Sequence, residues 1–148
     1  MRIELSDAEI AAYRRDGFVA IPDFLEPDEL AAWRAAVHEA MGARGDFKTP
    51  GRDWKAGDEY YDHVFIQRLN LWQDHPKVRR LMLDWRIGKM ACDLAGVDGI
   101  RVWHDQALFK APWGNPTSWH LDTPYWSFSH RDAISVWIAL DDATLENG

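Results

Sequence analysis

The chain has 148 residues, with 47% hydrophobic and 28% charged residues, which indicates one globular domain and excludes a disordered or fibrous protein. Its net charge of −7 argues against nucleic acid as a main ligand, because phosphate binding requires clustered Lys and Arg, and no apolar stretch approaches the ~20 residues of a membrane-spanning helix. The single cysteine, Cys92, cannot form an internal disulfide, and the N-terminus lacks the apolar stretch of a secretory signal, so we expect a cytoplasmic protein without membrane association.

The first part of the chain is predicted to form two helices. Ser6 and Glu9 make a capping-box pattern at the start of the first helix, and Gly17 is well placed to end it. A short strand is predicted at residues 18–21. Pro27 suits the first turn of the second helix. The apolar residues that recur at helical spacing in this second helix are Leu30, Trp33, Val37 and Met41.

The middle of the chain is predicted to contain a long loop and a third helix. Residues 46–61 are polar, contain glycine and lack periodicity, which indicates a loop near the mouth of a functional site. The third helix is expected from about Asp74 to the glycine at position 96. Trp85 in this helix and Trp33 in the second helix fall on apolar faces, so both are predicted core residues.

The last third of the chain is predicted to be extended. Residues 100–110 and 132–140 are expected to form the first main strands of a sheet, and helices followed by strands favour an α+β fold over a doubly wound one. His104 and Asp105 are adjacent in the first of these strands. Because successive strand residues point to opposite faces, we expect ordinary strand packing for them and no shared metal ion.

The segment between these strands, residues 118–126, carries the main functional signal. His120 and Asp122 are two positions apart, so in an extended strand both side chains would lie on one face. An imidazole and a carboxylate on one side of a metal ion are two of the three ligands of the two-histidine, one-carboxylate site that binds non-haem Fe(II) and leaves other positions open. The second histidine must come from elsewhere.

The His-X-Asp pattern alone is weak, because composition predicts roughly 0.7 chance occurrences, and two are present. The second comprises His130 and Asp132. The neighbouring residues favour the first: a turn-rich stretch at 110–116 leads into it, and Pro124 limits strand pairing just after it. Asp132 instead opens an alternating apolar strand, so the second pair is interpreted as polar residues that precede that strand.

Several stretches together resemble the phytanoyl-CoA dioxygenase family of Fe(II)/2-oxoglutarate oxygenases, namely residues 17–25, 109–112, 119–126, 137–142 and 146–148. The resemblance implies a double-stranded β-helix, a jelly-roll of the cupin type, with N-terminal helices packed outside it. Family members continue past this point with further strands, a distal iron-binding histidine and an arginine that pairs with 2-oxoglutarate. Residues 1–148 are therefore expected to be the N-terminal portion of one such domain and to be inactive alone.

The resemblance also implies roles for particular residues. His120 and Asp122 would bind Fe(II), with 2-oxoglutarate as the second cofactor, and O2 and a small organic molecule or acyl thioester as substrates. Arg68, Gln106 and Trp137 match family positions that contact 2-oxoglutarate. Related halogenases replace the metal-binding carboxylate with a small residue, so the presence of Asp122 favours hydroxylation.

Other interpretations stay open at this stage. Arg68 could be a surface cation, and Gln106 could face solvent on its strand. The chain could also be a non-catalytic cupin-like binding module, a zinc hydrolase or an inactive gene product, and neither the substrate nor the oligomeric state follows from the sequence. Aromatic residues near His120 could line an apolar ligand pocket. They are Trp103, Trp113, Trp119, Tyr125, Trp126 and Phe128.

Overall fold

A computed structural model describes residues 1–43, 66–110, 112, 114, 116–130 and 133–146. In chain order the elements are α1 (Asp7–Asp16), α2 (Pro27–Ala43), β1 (Ile66–Leu69), α3 (Leu71–Asp74), α4 (Pro76–Met82), α5 (Trp85–Ala95), β2 (Gln106–Phe109) and a 3-10 turn (Thr123–Tyr125). Helices combined with a small antiparallel sheet agree with the predicted α+β class. The predicted loop at 46–61 lies outside the described residues. Within the described part of the chain, no helix is both long and apolar enough to span a bilayer.

The predicted start and end of α1 are confirmed. The Ser6 hydroxyl accepts a hydrogen bond from the Glu9 backbone N–H (3.3 Å), and the Glu9 carboxylate accepts one from the Ser6 N–H (2.8 Å). Gly17 ends the helix in the left-handed conformation (φ 80°), which glycine adopts at little cost. The predicted strand at residues 18–21 is not formed, since the one sheet in the described part of the chain contains only β1 and β2.

The hydrophobic core lies between α2, the short helices and one face of the sheet. Trp33 is buried on α2, as predicted. The central buried cluster consists of Ala36, Ala40, Met41, Leu71 and Val78. Ile66, Ala107 and Phe109 of the two strands pack against this cluster, so the sheet turns one face toward the helices. Burial of this apolar surface is the main force that holds the helices on the strands.

The prediction of one continuous third helix is wrong. α4 ends at Met82, and α5 begins at Trp85 with a new N-cap, because the Asp84 carboxylate accepts a hydrogen bond from the Arg86 backbone N–H (3.0 Å). The interruption changes which residues face the core. Trp85, predicted to be buried, opens the new helix and is 65% exposed.

The extended segments form less sheet than predicted. β1 and β2 pair antiparallel with Ile66 opposite Phe109 and Leu69 opposite Gln106. Only residues 106–109 of the predicted strand at 100–110 are paired, and residues 133–140 have no regular secondary structure. A strand requires a hydrogen-bonded neighbour. In the described part of the chain β2 pairs only with β1, so residues 133–140 are not paired with it as a strand.

Arg34 on α2 joins the segment at residues 133–146 to the helices. Arg34 on α2 donates a hydrogen bond from Nε to the Leu140 carbonyl oxygen (2.8 Å), and the same nitrogen lies 3.0 Å from an Asp141 carboxylate oxygen. This contact joins positions 106 residues apart in the chain. Arg34 therefore fixes where this segment meets α2, although no strand pairing holds it.

Asp105 has a structural role as a helix cap, which was not predicted from the sequence. It is 7% exposed and lies directly before β2. Its carboxylate accepts hydrogen bonds from the backbone N–H groups of Leu71 (3.2 Å) and Trp72 (3.0 Å). Asn70, the residue that precedes α3, makes no side-chain cap of its own. Asp105 thus caps α3 from a distant part of the chain and joins that helix to β2.

An ion-pair network joins the starts of α2 and α5. Arg86 contacts the Asp84 carboxylate (Nη2 to Oδ2, 2.7 Å) and the Glu29 carboxylate (Nη1 to Oε1, 2.6 Å), and Glu29 also accepts a hydrogen bond from the amino group of Met1. The hydrogen bond from Arg86 holds the pKa of Asp84 below its usual value. The same contact raises the pKa of Arg86.

The lowered pKa of Asp84 predicts a specific loss of stability in acid. A carboxylate whose pKa is lower in the folded than in the unfolded protein stabilises the fold above its unfolded pKa, and this contribution disappears as the pH falls through the folded pKa. Asp84→Asn should therefore lower the free energy of unfolding at pH 7, and the difference from the parent protein should shrink below about pH 4. Urea unfolding at pH 7 and pH 3 measures both values. Asp98→Asn, at an exposed carboxylate, is the control, and a difference that persists unchanged at pH 3 would contradict the prediction.

Candidate metal centre

The two predicted metal ligands lie side by side. His120 Nε2 is 3.3 Å from Asp122 Oδ1, and the two side chains are 46% and 55% exposed. Two donors that each lie about 2.1 Å from one ion are roughly 3.0–3.4 Å apart when the angle between them is about 90° to 110°. The observed separation is therefore compatible with one metal ion held by both side chains. Their accessibility leaves room for further ligands.

A backbone hydrogen bond sets the chemical form of the His120 ring. Its Nδ1 lies 2.7 Å from the carbonyl oxygen of Ser118. Because a carbonyl oxygen can only accept, Nδ1 is the protonated nitrogen in this contact, and in the neutral ring Nε2 keeps its lone pair. Metal-binding histidines commonly use this arrangement, in which one ring nitrogen donates to a carbonyl and the other binds the metal. The contact involves the backbone of Ser118, so no side-chain signal in the sequence could have revealed it.

The local structure differs from the predicted strand. Residues 116–121 have no regular secondary structure, and Asp122 has helical backbone angles (φ −73°, ψ −32°) where it precedes the 3-10 turn. Its carbonyl oxygen accepts a hydrogen bond from the Tyr125 N–H (2.9 Å), and Pro124 fits the first turn. A turn, and not the alternation of a strand, therefore brings the imidazole and the carboxylate together.

The three residues predicted to contact 2-oxoglutarate are not gathered at one place. Directly opposed residues of an antiparallel pair share a face, and the register pairs Arg68 with Ala107 and Leu69 with Gln106. Arg68 is thus on the face that packs on the helices, whereas Gln106 is on the open face. Trp137 lies in the segment without regular structure and is 71% exposed. Their contact with 2-oxoglutarate stays a prediction.

The aromatic residues near the pair form a smaller cluster than predicted. Phe128 stacks on Trp126 with ring centroids 5.3 Å apart and meets the edge of Trp103 at 5.1 Å. Trp113 lies outside the described residues. Two others are directed to solvent with exposures of 104% and 77%, namely Trp119 and Tyr125.

The second His-X-Asp sequence is only partly described, since His130 is included and Asp132 is not. Over the described ranges, no group of three or more His, Cys, Asp or Glu side chains could hold a metal ion. The pair formed by His120 and Asp122 is therefore an incomplete ligand set. It would need at least one more protein ligand to match the three-ligand site of non-haem iron enzymes.

Similar proteins define the class to which this chain belongs. The chain is 27% identical to the methylphosphonate hydroxylase of Gimesia maris over 157 residues, which cover 100% of the chain and 55% of that protein. It is 30% identical to the ectoine dioxygenase of Halomonas elongata, with 97% of the chain and 43% of that protein covered. The solved structure of the non-heme alpha-ketoglutarate-dependent carbocyclase SnoK from nogalamycin biosynthesis matches 70% of the chain and 37% of that enzyme, with 32% identity and a TM-score of 0.55.

The proteins similar to this chain are thus dioxygenases, hydroxylases and a non-haem, 2-oxoglutarate-dependent enzyme. The family described as phytanoyl-CoA dioxygenase (PhyH) matches residues 13–148, and the chain belongs to this family. The resemblance noted from the sequence is confirmed. The chain spans about half the length of the curated relatives that it matches.

Proposed function

We propose that the complete protein is an Fe(II)- and 2-oxoglutarate-dependent dioxygenase that hydroxylates a small organic molecule or an acyl thioester. The observation that carries the proposal is the pair formed by His120 and Asp122, with donor atoms 3.3 Å apart. The Ser118 carbonyl leaves the correct nitrogen of His120 available. Membership of a dioxygenase family supports the same conclusion.

The donor set fits ferrous iron. An imidazole and a carboxylate are the ligand types of the non-haem iron site, whereas a thiolate would favour zinc or an iron–sulfur cluster. When bound, iron with 2-oxoglutarate supplies the activation of O2 that hydroxylation requires. His120 and Asp122 would hold the ion from one side, and the 3-10 turn after Asp122 would keep that carboxylate directed toward it. Because Asp122 occupies its ligand position, halide would have no vacant place there, which favours hydroxylation.

The two-stranded sheet suggests how the rest of the domain is organised. We propose that residues 1–148 are the N-terminal portion of a double-stranded β-helix and that the open face of β1 and β2 is the inner wall of its barrel. That face carries Gln106 beside Leu69 and Leu108, which are 43% and 41% exposed. A barrel interior would cover these leucines and place Gln106 near 2-oxoglutarate. Arg68 lies on the face of the sheet that the helices cover. A contact between Arg68 and 2-oxoglutarate would therefore require its side chain to reach around the edge of the strand.

Succinate release tests the proposed function directly. The assay compares the 148-residue chain with a version extended through the rest of its reading frame, each with Fe(II), 2-oxoglutarate and O2. We expect succinate from the extended protein only, because the short chain supplies two of the three protein ligands. Replacement of Fe(II) by Zn(II) should abolish turnover, since zinc has no redox chemistry.

Three outcomes would contradict the proposal in different ways. Metal binding without any succinate from the extended protein would favour a non-catalytic binding module. Hydrolysis supported by Zn(II) without 2-oxoglutarate would favour a hydrolase. Robust succinate release from the short chain would mean that a third ligand lies within the 148 residues, with His104 and His63 the first to replace by alanine, or comes from a partner subunit.

A further inference from the structure

Three aromatic rings connect the segment that carries the candidate metal pair to the start of β2. Phe128 is the central ring of the three. It stacks on Trp126 with centroids 5.3 Å apart at an angle of 19°, and it meets the Trp103 ring edge-on at 5.1 Å and 88°. Trp126 and Phe128 come directly after the 3-10 turn, whereas Trp103 lies shortly before β2. Phe128 thus packs between two parts of the chain that are distant in sequence.

On one side, short hydrogen bonds connect the Trp126 ring to the proposed ligand Asp122. Trp126 ends the 3-10 turn, and its N–H donates a hydrogen bond to the Thr123 carbonyl oxygen (3.2 Å). The Asp122 carbonyl oxygen accepts a hydrogen bond from the Tyr125 N–H (2.9 Å). These two bonds fix the backbone between Asp122 and Trp126. A displacement of the Trp126 ring therefore also displaces the residue that carries the metal-binding carboxylate.

On the other side, Trp103 belongs to a segment that the core holds in place. The buried Asp105 follows it closely, and the Asp105 carboxylate caps α3. The Asp105 carbonyl oxygen also accepts a hydrogen bond from the Asn70 N–H (3.0 Å), and β2 then pairs with β1. The Trp103 ring contacts the neighbouring His104 ring, with centroids 4.1 Å apart. Phe128 therefore packs on a ring that projects from a well-anchored part of the chain.

The segment that carries the metal pair depends on such packing for its position. Residues 116–121 have no regular secondary structure, and the side chains of His120 and Asp122 are 46% and 55% exposed. A segment without ladder hydrogen bonds can move at a low cost in free energy, so its side-chain contacts decide how far it moves. Ligands that are held in place before binding lose less conformational freedom when the ion arrives, which raises the affinity.

We propose that Phe128 is a positioning residue of the candidate metal centre, which holds the turn at Asp122 in place by packing between Trp126 and Trp103. The inference rests on the proposed function, because it concerns the same site. The Phe128 side chain has no donor atom, so it acts on the metal only through the turn. Without this ring, metal binding itself has to order the turn, and the affinity falls as a result.

Mn(II) binding to the complete protein, followed by the electron paramagnetic resonance signal of free Mn(II), measures this effect without turnover. Phe128→Ala removes both ring contacts and should weaken Mn(II) binding about three- to tenfold, the effect of one or two aromatic pairs. Phe128→Tyr keeps the ring and should bind Mn(II) like the parent protein. Phe18→Ala is the matched control and should leave the affinity unchanged, since Phe18 is 71% exposed on the segment after α1.

Variants of Trp103 test whether the effect passes through the contact with this ring. Trp103→Ala should also weaken Mn(II) binding. If both substitutions act through the same contact, the double variant should bind Mn(II) little more weakly than Phe128→Ala alone. Phe128→Leu keeps the apolar bulk and gives a milder variant if the alanine variants do not fold. All affinities are measured well below the melting temperature of each variant, so that loss of folded protein does not contribute.

Three results would overturn the proposal. An unchanged Mn(II) affinity of Phe128→Ala together with a lower melting temperature would show that the ring only stabilises the fold. An equal loss of affinity in Phe18→Ala would show a general effect of lost apolar surface. Absence of Mn(II) binding to the parent protein would refute the metal centre and the role of Phe128 together.

The same measurements separate this proposal from the proposed function. Mn(II) binding that depends on Asp122 and Phe128, with no succinate release from the parent protein, would keep the positioning role and refute the dioxygenase. Succinate release from the parent protein, with an Mn(II) affinity that Phe128→Ala leaves unchanged, would keep the dioxygenase and refute the positioning role.

Discussion

Asp122→Ala is expected to abolish Fe(II)-dependent turnover of 2-oxoglutarate in the complete protein, and His120→Ala to do the same. Removal of either side chain leaves only one of the two proposed metal ligands. We expect turnover to fall at least about 100-fold, because even the groups that only orient metal ligands contribute 10- to 100-fold. Succinate release in the absence of substrate measures this loss, and circular dichroism verifies that each variant is folded.

Asp132→Ala is the matched control, because Asp132 belongs to the other His-X-Asp sequence of the chain. It should retain most of the succinate release. Manganese binding, followed by the electron paramagnetic resonance signal of free Mn(II), gives a second measurement that does not depend on O2 chemistry. If Asp132→Ala lost as much turnover and metal affinity as Asp122→Ala while both stayed folded, the choice between the two sequences would be wrong.

The sequence predicted the first two helices well because the signals at their ends are local. The hydrogen bonds between Ser6 and Glu9 and the left-handed angle of Gly17 involve residues close in the chain. Pro27 likewise begins α2. The break between α4 and α5 was missed because the apolar periodicity continues across it. The only signal for the new helix is the N-cap by Asp84, which is also local. Periodicity over a long window does not detect such an interruption.

The candidate site was predictable in composition but not in geometry. Several stretches of the sequence, one of which contains His120 and Asp122, together identified the family, which a chance His-X-Asp pattern could not have done. The strand assumed for them was wrong, because a turn that begins at Asp122 places the two side chains together. The Ser118 carbonyl and the bond from Arg34 to Leu140 are backbone contacts. Every residue has a carbonyl group, so side-chain patterns carry no information about which one is used.

Asp105→Ala should cause the largest loss of stability among the single substitutions considered. The carboxylate is 7% exposed and accepts the N–H groups of Leu71 and Trp72, so its removal leaves two donors at the start of α3 without their partner. Leu71 is also one of the most buried side chains, at 1% exposure, which limits how far water can enter to replace the carboxylate. We expect the free energy of unfolding to fall by about 2–4 kcal/mol.

Asp105→Asn separates the loss of hydrogen-bond acceptors from the loss of packing. The amide keeps the shape of the side chain but retains one accepting oxygen, so its effect should be roughly half that of alanine. Asp98→Ala, at an exposed carboxylate on the loop after α5, should change stability by less than about 0.5 kcal/mol. Urea unfolding of all three variants gives these values, and hydrogen exchange at Leu71 and Trp72 shows whether α3 opens first. Equal stability of Asp105→Ala and the parent protein would show that water replaces the carboxylate, and α3 would then not depend on β2 for its cap.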